Sequence, residues 1–561
     1  MKHVIEQAVK DAIATLGITE SRCVVEYPAD ESHGDLSTNA ALVHAKELGQ
    51  SPRAVAEALL PHLTAALPMV ANITIAGPGF INFTLSRAVF TKTVTTVIQD
   101  PQTWGKNSSL TGKTVIVEYT DPNPFKEFHI GHLFTNAVGE SIARLFMVNG
   151  ASVKRVNYQG DVGLHVAHAV YGMQALGLSP TAGFTARDLG RAYAYGATAY
   201  KNEETVAVTI RDINRHIYAR DNQDINELYD AGRRVSLEYF ETVYKLVGTV
   251  FDDYFFESET GPRGKALVLE HPSVFPKSDG ARIFPGEDYG LHTRVFLNHE
   301  DLPTYEAKEL ALAKIKEERL GNYDHSIIST SNEINEYFKV LLCALSQIYP
   351  DLANKTEHIG HGTVRLTTGK MSSRTGDVIA AIDFINEVAD AALERMIATG
   401  SAAPDRTVAE MVAIGAIKYT TLHGSILQDS VFDKDRALSF EGDSGPYLQY
   451  THARIGSVLE KAAGVGVTPS TSTPPPVPYP VERLLRAFPE ILETALHERA
   501  PHQVVTYLTA LASAFNAFYA TERIADADDE CAPYKAAVAS AVQTTLKNGL
   551  WVLGIPAPER M

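Results

Sequence analysis

Thr114-Val115-Ile116-Val117-Glu118-Tyr119 constrains the fold of this chain more than any other stretch. Its apolar run reads as a buried strand. A Pro-punctuated loop follows, Asp121-Pro122-Asn123-Pro124, and then a helix that begins near Gly131. Leu133, Phe134, Ala137, Val138, Ile142, Leu145 and Phe146 set one apolar stripe along that helix. A second strand is expected at 153–158. Strand, loop and helix at this spacing form the opening βα unit of a doubly wound, Rossmann-type parallel sheet.

The flanking sequence implies a multidomain α/β protein. At 561 residues the chain has room for three or four cores. Residues 1–63 read as helical, with Val4, Ile5, Ala8, Val9, Ala12 and Ile13 at helical spacing. Strands are expected at 73–75 and 80–85, around the turn Gly77-Pro78-Gly79. This α+β block ends at the polar junction 104–109. Residues 165–300 are charged, mostly helical and hairpin-like at their end, and read as an insertion into the α/β pattern. The alternation resumes with a helix at 304–320, a strand at 326–330, a helix at 334–348 and a strand at 363–367. From residue 382 the pattern is helical to the end. One stretch differs, 468–480, whose prolines predict a stiff extended linker between helices.

Charge and cysteine usage exclude some functions. Fifty Lys and Arg against 67 Asp and Glu leave a net charge of −17. A uniformly basic nucleic-acid coat is excluded; local basic patches are not. Cys23, Cys343 and Cys531 are far apart and form no CxxC pair, so neither a disulfide framework nor a thiolate zinc site is expected. Glu6 and Asp11 interrupt what a signal peptide would need to be apolar, and no run approaches the ~18 apolar residues of a membrane span. A soluble cytoplasmic protein with no membrane partner is expected.

Two segments carry chemistry. Phe128-His129-Ile130-Gly131-His132 falls where the loop meets the helix N-terminus, a place that favours phosphate. Gly131 lets a flat ring approach the backbone, and the two histidines can donate hydrogen bonds to a phosphoryl transition state. Two surface histidines at a helix cap are the plainer alternative. About 240 residues on, Gly369-Lys370-Met371-Ser372-Ser373-Arg374-Thr375-Gly376 can close a lysine over a pyrophosphate. Alone, that loop would read as a solvated basic turn.

Together, the HIGH and KMSSR runs resemble those of a class I aminoacyl-tRNA synthetase, and further segments narrow the resemblance to arginyl-tRNA synthetases. The run from Glu118 through Asn123 and Lys126 into His129 and His132 resembles that family's signature. So do Asn157-Tyr158-Gln159-Gly160-Asp161-Val162-Gly163, Gln449-Tyr450-Thr451-His452-Ala453-Arg454 and the closing segment from Lys547 to Met561. Gly34-Asp35-Leu36-Ser37-Thr38-Asn39-Ala40 and Gly77-Pro78-Gly79-Phe80-Ile81-Asn82 are similar to its additional N-terminal domain. The resemblance implies an N-terminal α+β tRNA-binding domain (1–108), a Rossmann-type catalytic domain (109–400) and an all-α anticodon-binding bundle (401–561).

The activity implied is ATP-dependent activation of L-arginine and its transfer to the 3′ end of tRNA(Arg), with Mg2+ carried by the nucleotide. His129, Gly131, His132, Lys370, Met371 and Ser372 are the expected ATP contacts, and Lys126, His129, His132 and Lys370 the catalytic set. Glu118, Asn123, Tyr305, Glu309 and Asn332 are the expected arginine contacts. A planar, always charged guanidinium asks for carboxylates in a fork. The family usually has Asp where this chain has Glu309, one methylene longer. It also lacks the second loop lysine, here Ser373, and Lys126 is expected to supply that charge; a plain surface lysine is the alternative. Tyr447, Gln449 and Arg454 are expected to meet anticodon bases, with Tyr450 on the same face or in the core. Asn39 and Phe80 are candidates for the tRNA elbow, with capping and core roles equally open. The 165–300 stretch is expected to hold the acceptor stem and close the pocket. No editing domain is expected, since a charged side chain is easily told from apolar competitors. A monomer is expected. The alternatives are a class I ligase paralogue and a non-catalytic tRNA-binding homologue.

Overall fold

An apolar strand covered on both faces belongs inside a sheet, and Thr114–Tyr119 lies at the centre of one. The computed structural model describes residues 1–20, 22–28, 30–367, 379–398 and 405–561. Its largest sheet has the spatial order Thr356–His361, His325–Ser331, Thr114–Tyr119, Ser152–Gln159, Asp253–Phe256. Every neighbouring pair is parallel. The chain therefore winds outward to both sides of its first strand, with the switch of direction between Thr114–Tyr119 and His325–Ser331. Ligands of such sheets bind at the strands' carboxyl ends, near that switch. Val115, Ile116 and Val117 are at most 1% exposed, as strands with helices on both faces must be.

The helix Ile130–Val148 covers one face of the sheet and touches it at Gly139. A Cβ there would fall 2.2 Å from the Cβ of Tyr119. Only a glycine lets helix and strand approach so closely. The next residue, Glu140, is fully buried. It accepts the Tyr119 hydroxyl, Arg144 Nε at 2.7 Å and Arg155 at 3.4 Å. Arg144 also donates to the carbonyls of Gly248 (2.9 Å) and Trp551 (2.6 Å). Burial would raise the Glu140 carboxyl, but Arg144 and Lys418 hold it below its usual range. Lys418, in the helix Arg406–Leu422, donates to the Val247 carbonyl at 2.6 Å.

The chain divides into two compact units. One comprises Met1–Trp104, Ile455–Phe488 and Ala510–Thr545; the other comprises Gly105–Arg454, Pro489–Thr509 and Leu546–Met561 and contains the parallel sheet. In the first unit, the stretch read as helical over 1–63 also holds two short strands, Val25–Glu26 and Leu36–Thr38. They join Phe80–Leu85 and Val70–Ala76 in an antiparallel sheet. Strands of two and three residues are too short for an alternation to register. The proline-rich stretch does run between the helices Gly445–Gly464 and Pro480–His497, but it is fastened along its length. Ser470 N–H donates to the Pro533 carbonyl at 2.9 Å, Thr95 Oγ1 donates to Thr471 Oγ1 at 3.0 Å, and Arg87 donates to the Pro475 carbonyl at 2.8 Å.

In the second unit, both edge strands of the parallel sheet differ from expectation. Asp253–Phe256 falls inside the stretch read as an insertion. What precedes it is four helices, Leu164–Ala175, Ala186–Asn202, Glu204–Ala219 and Gln223–Val247, with an apolar core of their own. On the other side the outer strand is Thr356–His361, whereas Val364–Leu366 pairs with Ser430–Phe432 in a separate ribbon. Thr-Glu-His-Ile-Gly-His is polar because an edge strand need not be apolar on both faces.

Gly139→Ala should destabilise the fold by about 3 kcal/mol, since overpacking a buried contact costs ~1–3 kcal/mol and here the obstacle is a Cβ held by backbone. Gly424→Ala, where an added Cβ meets nothing within 4 Å, should leave the denaturation midpoint unchanged.

Candidate active site

His129 is the N-cap of the helix Ile130–Val148. Its backbone N–H donates to His132 Nδ1 at 3.2 Å, and the two rings stack with centroids 3.7 Å apart. An imidazole that accepts at Nδ1 carries its proton on Nε2, so His132 keeps one outward donor. Both rings are neutral. Burial first, then the charge of Lys126, pushes His129 down to about 4. Burial, then His129 and Lys126, holds His132 well below its usual 6.5. Neutral donors at a helix N-terminus suit phosphate oxygens without demanding a proton from them.

Lys126 is half-buried, with its ammonium 4.7 Å from the centre of the Tyr193 ring. It is no solvated surface lysine: burial first, and then its charge, depress His165 and His168. The segment just after the second signature loop is stitched to the histidine motif. Ala381 N–H donates to the Phe128 carbonyl at 2.7 Å, and Ile130 N–H to that of Ile379 at 3.3 Å. Lys370, Met371 and Ser372 lie outside the described residues.

The loop between strand and helix is strained. Thr120, Asp121 and Phe125 have φ of 82°, 46° and 67°, a region that costs a non-glycine residue ~1–3 kcal/mol. Hydrogen bonds hold it there: Asn136 Nδ2 to Thr120 Oγ1 (3.1 Å), Tyr158 N–H to Asp121 Oδ1 (2.9 Å) and Phe125 N–H to Ser236 Oγ (2.9 Å).

Across this loop the structure gathers acids. Glu118 is almost fully buried and pairs with Lys316 Nζ at 2.6 Å. Glu257, at the end of the edge strand, pairs with Lys308 at 2.6 Å. Glu309 is half-buried, and its carboxyl is pushed well up by burial, then by Glu118. Asp121 is raised by the same two causes. Asn123 Oδ1 lies against Gly160, where an added Cβ would stand 2.3 Å from it and 3.2 Å from Glu257 Oε1. Tyr305 opens the helix Tyr305–Leu320 and is 58% exposed. Asn332 follows the strand His325–Ser331, beside Gly360 of the next strand. Glu118, Asn123 and Glu309 thus converge on one acidic centre that Tyr305 flanks, with Asn332 at the next strand end. Sequence reasoning missed Asp121, Glu257, Lys308 and Lys316. The one available signal was that Tyr305, Glu309 and Lys316, at i, i+4 and i+11, share a helical face.

Residues 93–434 match the family described as tRNA synthetases class I (R), catalytic domain. Residues 1–85 match the arginyl tRNA synthetase N terminal domain, and 448–561 the DALR anticodon binding domain. The chain belongs to the arginyl-tRNA synthetase family. An arginine–tRNA ligase of Treponema denticola is 30% identical over 83% of this chain and 82% of its own length. That of Clostridioides difficile is 28% identical over 100% of this chain and 99% of its own. The solved arginyl-tRNA synthetase of Thermus thermophilus superposes with a TM-score of 0.81 at 25% identity, each chain covered in full.

In this family member, the residues expected to meet tRNA fall into two groups. Tyr447 is half-buried, Arg454 is exposed and Tyr450 is 41% exposed, so Tyr450 is not a core residue. Gln449 departs from expectation. It is fully buried, and its amide donates to the carbonyls of Met411 (2.9 Å) and Pro556 (2.8 Å), which leaves no donor for a base. Asn39 is half-buried and accepts Val24 N–H at 3.0 Å, a local structural bond. Phe80 is 38% exposed and therefore not core.

Two outcomes test this geometry. Gly160→Ala should fold, because Asn123's side-chain end can swing aside, yet raise the arginine KM at least tenfold with the ATP KM unchanged; a charged-partner hydrogen bond of ~1.5–3 kcal/mol is at stake. In proton NMR, His129 Cε1–H should titrate near 4. Its folded pKa lies below the unfolded ~6.5, so the stability it contributes is present above 6.5 and lost as pH falls towards 4.

Proposed function

We propose that this chain is an arginine–tRNA ligase. It activates L-arginine with ATP to arginyl-adenylate and transfers the arginyl group to the 3′ end of tRNA(Arg). The observation that carries this reading is the buried excess of carboxylates a few residues from a pair of neutral imidazoles at a helix N-terminus. One half of that site suits a guanidinium, the other a polyphosphate.

The first step is in-line attack of the arginine carboxylate on the α-phosphate of ATP, with pyrophosphate leaving. A carboxylate needs no general base, so the chain contributes position and charge. His129 and His132 donate to phosphate or ribose oxygens, and Gly131 leaves room for the adenine. Lys126, released from its perch on Tyr193, stabilises the charge that builds on the phosphates, together with Lys370. Asn123 holds the α-amino group; Glu118, Tyr305 and Glu309 orient the guanidinium, with Asn332 at the pocket's far side. Magnesium would come with the nucleotide, not with a protein cage, and would supply charge neutralisation at the phosphates.

In the same reading, residues 1–108 and 401–561 bind the tRNA, and the catalytic domain spans 109–400. Tyr447, Tyr450 and Arg454 offer a stacking face to anticodon bases. Phe80 offers another at the elbow, with Asn39 next to Thr38, the strand partner of Ile81. The protein acts in the cytoplasm as a monomer.

Arginine-dependent ATP–pyrophosphate exchange, with and without bulk tRNA and with lysine and citrulline as controls, tests the assignment. Exchange specific to arginine is expected; no exchange under any condition, with tRNA still bound, would make the chain a non-catalytic homologue. Lys126→Ala should lower the rate of adenylate formation about a hundredfold, the scale of losing one preorganised charge at a transition state. An unchanged rate would return Lys126 to a structural role.

A further inference from the structure

We propose that Asp121 is an additional specificity-determining acid of the arginine pocket, and that the guanidinium enters by displacing a proton retained by its acids without an ion pair, Asp121 and Glu309. This rests on the reading that the pocket takes arginine.

The argument starts from the charges that face one another there. Four carboxylates meet: Glu118 and Asp121 from the central strand and its loop, Glu257 from the edge strand's end, and Glu309 from the helix Tyr305–Leu320. Two ammonium groups answer them, each in one ion pair at 2.6 Å, Lys316 with Glu118 and Lys308 with Glu257, and the Lys316 charge also reaches Asp121 and Glu309. Neither Asp121 nor Glu309 forms an ion pair among the described residues. Asp121 has one donor, the Tyr158 N–H at 2.9 Å. Of the remaining neighbours, Lys126 acts on Glu257, and none forms an ion pair with Asp121 or Glu309 among the described residues. Tyr158 and Tyr337 are buried phenols whose own ionisation is pushed well up, by burial first. Arg294, beside the Tyr337 ring, is paired with Glu306, and Arg233 with Asp161.

Two acids without counter-ions in a desolvated pocket do not both stay ionised; one keeps its proton. The raised carboxyls of Asp121 and Glu309 agree with this. A guanidinium offers the missing charge in a planar fork and so takes the proton's place. The balance is simple: protonated pocket plus argininium gives the occupied pocket and one proton to solvent. Arginine affinity must therefore rise with pH while the proton is bound, by at most about tenfold per pH unit, and level off above. Citrulline, neutral and of the same shape, displaces nothing.

Asp121→Asn isolates the effect. Asparagine keeps the acceptor for Tyr158 N–H and tolerates the φ of 46°, while removing the charge and its proton. Arginine binding to the full chain is measured by calorimetry in two buffers of different ionisation enthalpy, from pH 6 to 8.5. The wild-type chain should release protons with arginine and none with citrulline. In D121N the release should fall by more than half, with arginine weakened about tenfold at pH 8.5, less than threefold at pH 6, and the ATP KM unchanged. Arginylation of tRNA by the wild-type chain is checked first; its absence removes the functional reading itself. Arginylation without proton release overturns only the proposal, and so does a D121N variant with wild-type pH dependence. The wild-type buffer comparison stands even if the variant fails to fold.

Discussion

Glu140 is the constraint on which the catalytic unit depends. Burying a carboxylate costs several kcal/mol unless charged partners surround it. Here Tyr119, Arg144 and Arg155 all bond it, and Lys418 adds its charge. Those groups come from the central strand, the helix after it, the second strand and a helix nearly 300 residues on. Arg144 then reaches the carbonyls of Gly248 and Trp551. One anion thus joins segments that no local pairing would bring together. It also ties the end of the strand to the middle of the helix, on either side of the loop that holds Thr120, Asp121 and Phe125 in a left-handed backbone.

Strand alternation divides the work of neighbouring residues. Tyr119 and Glu118 point to opposite faces. Tyr119 binds the structural carboxylate, whereas Glu118 joins the cluster of acids across the loop. A few residues later the chain enters the helix with uncharged imidazoles. In the proposed reading, the two halves of the reaction, a cationic amino acid and an anionic nucleotide, meet an acidic cluster and a pair of neutral donors separated by a single loop.

The sequence made legible whatever rests on strong local patterns. The central strand, the helix after it and the histidine motif carry periodicity or spacing that survives without tertiary context. The edge strands did not, because Thr356–His361 is polar and Asp253–Phe256 is only four residues long. In the site, Glu118 and Glu309 stood out as carboxylates on otherwise apolar or paired faces. Asp121 was hidden as loop punctuation, and Lys308 and Lys316 as ordinary helix-surface lysines, since inward-facing ammonium groups look no different until their partners are placed. Gln449 misled for the opposite reason. A glutamine near the start of a helix signals exposure, but two carbonyls claim its amide in the core.

The proline-rich stretch 468–480 has the composition of a spacer, and spacers drift in length because nothing measures them. This one is measured. Anchors at Ser470, Thr471 and Pro475 set how much chain must lie between them and the helix Pro480–His497. A residue gained or lost there would bulge or tear the strap rather than lengthen a tether. Its length should therefore be as constrained as that of a helix, while its side chains stay comparatively free to vary.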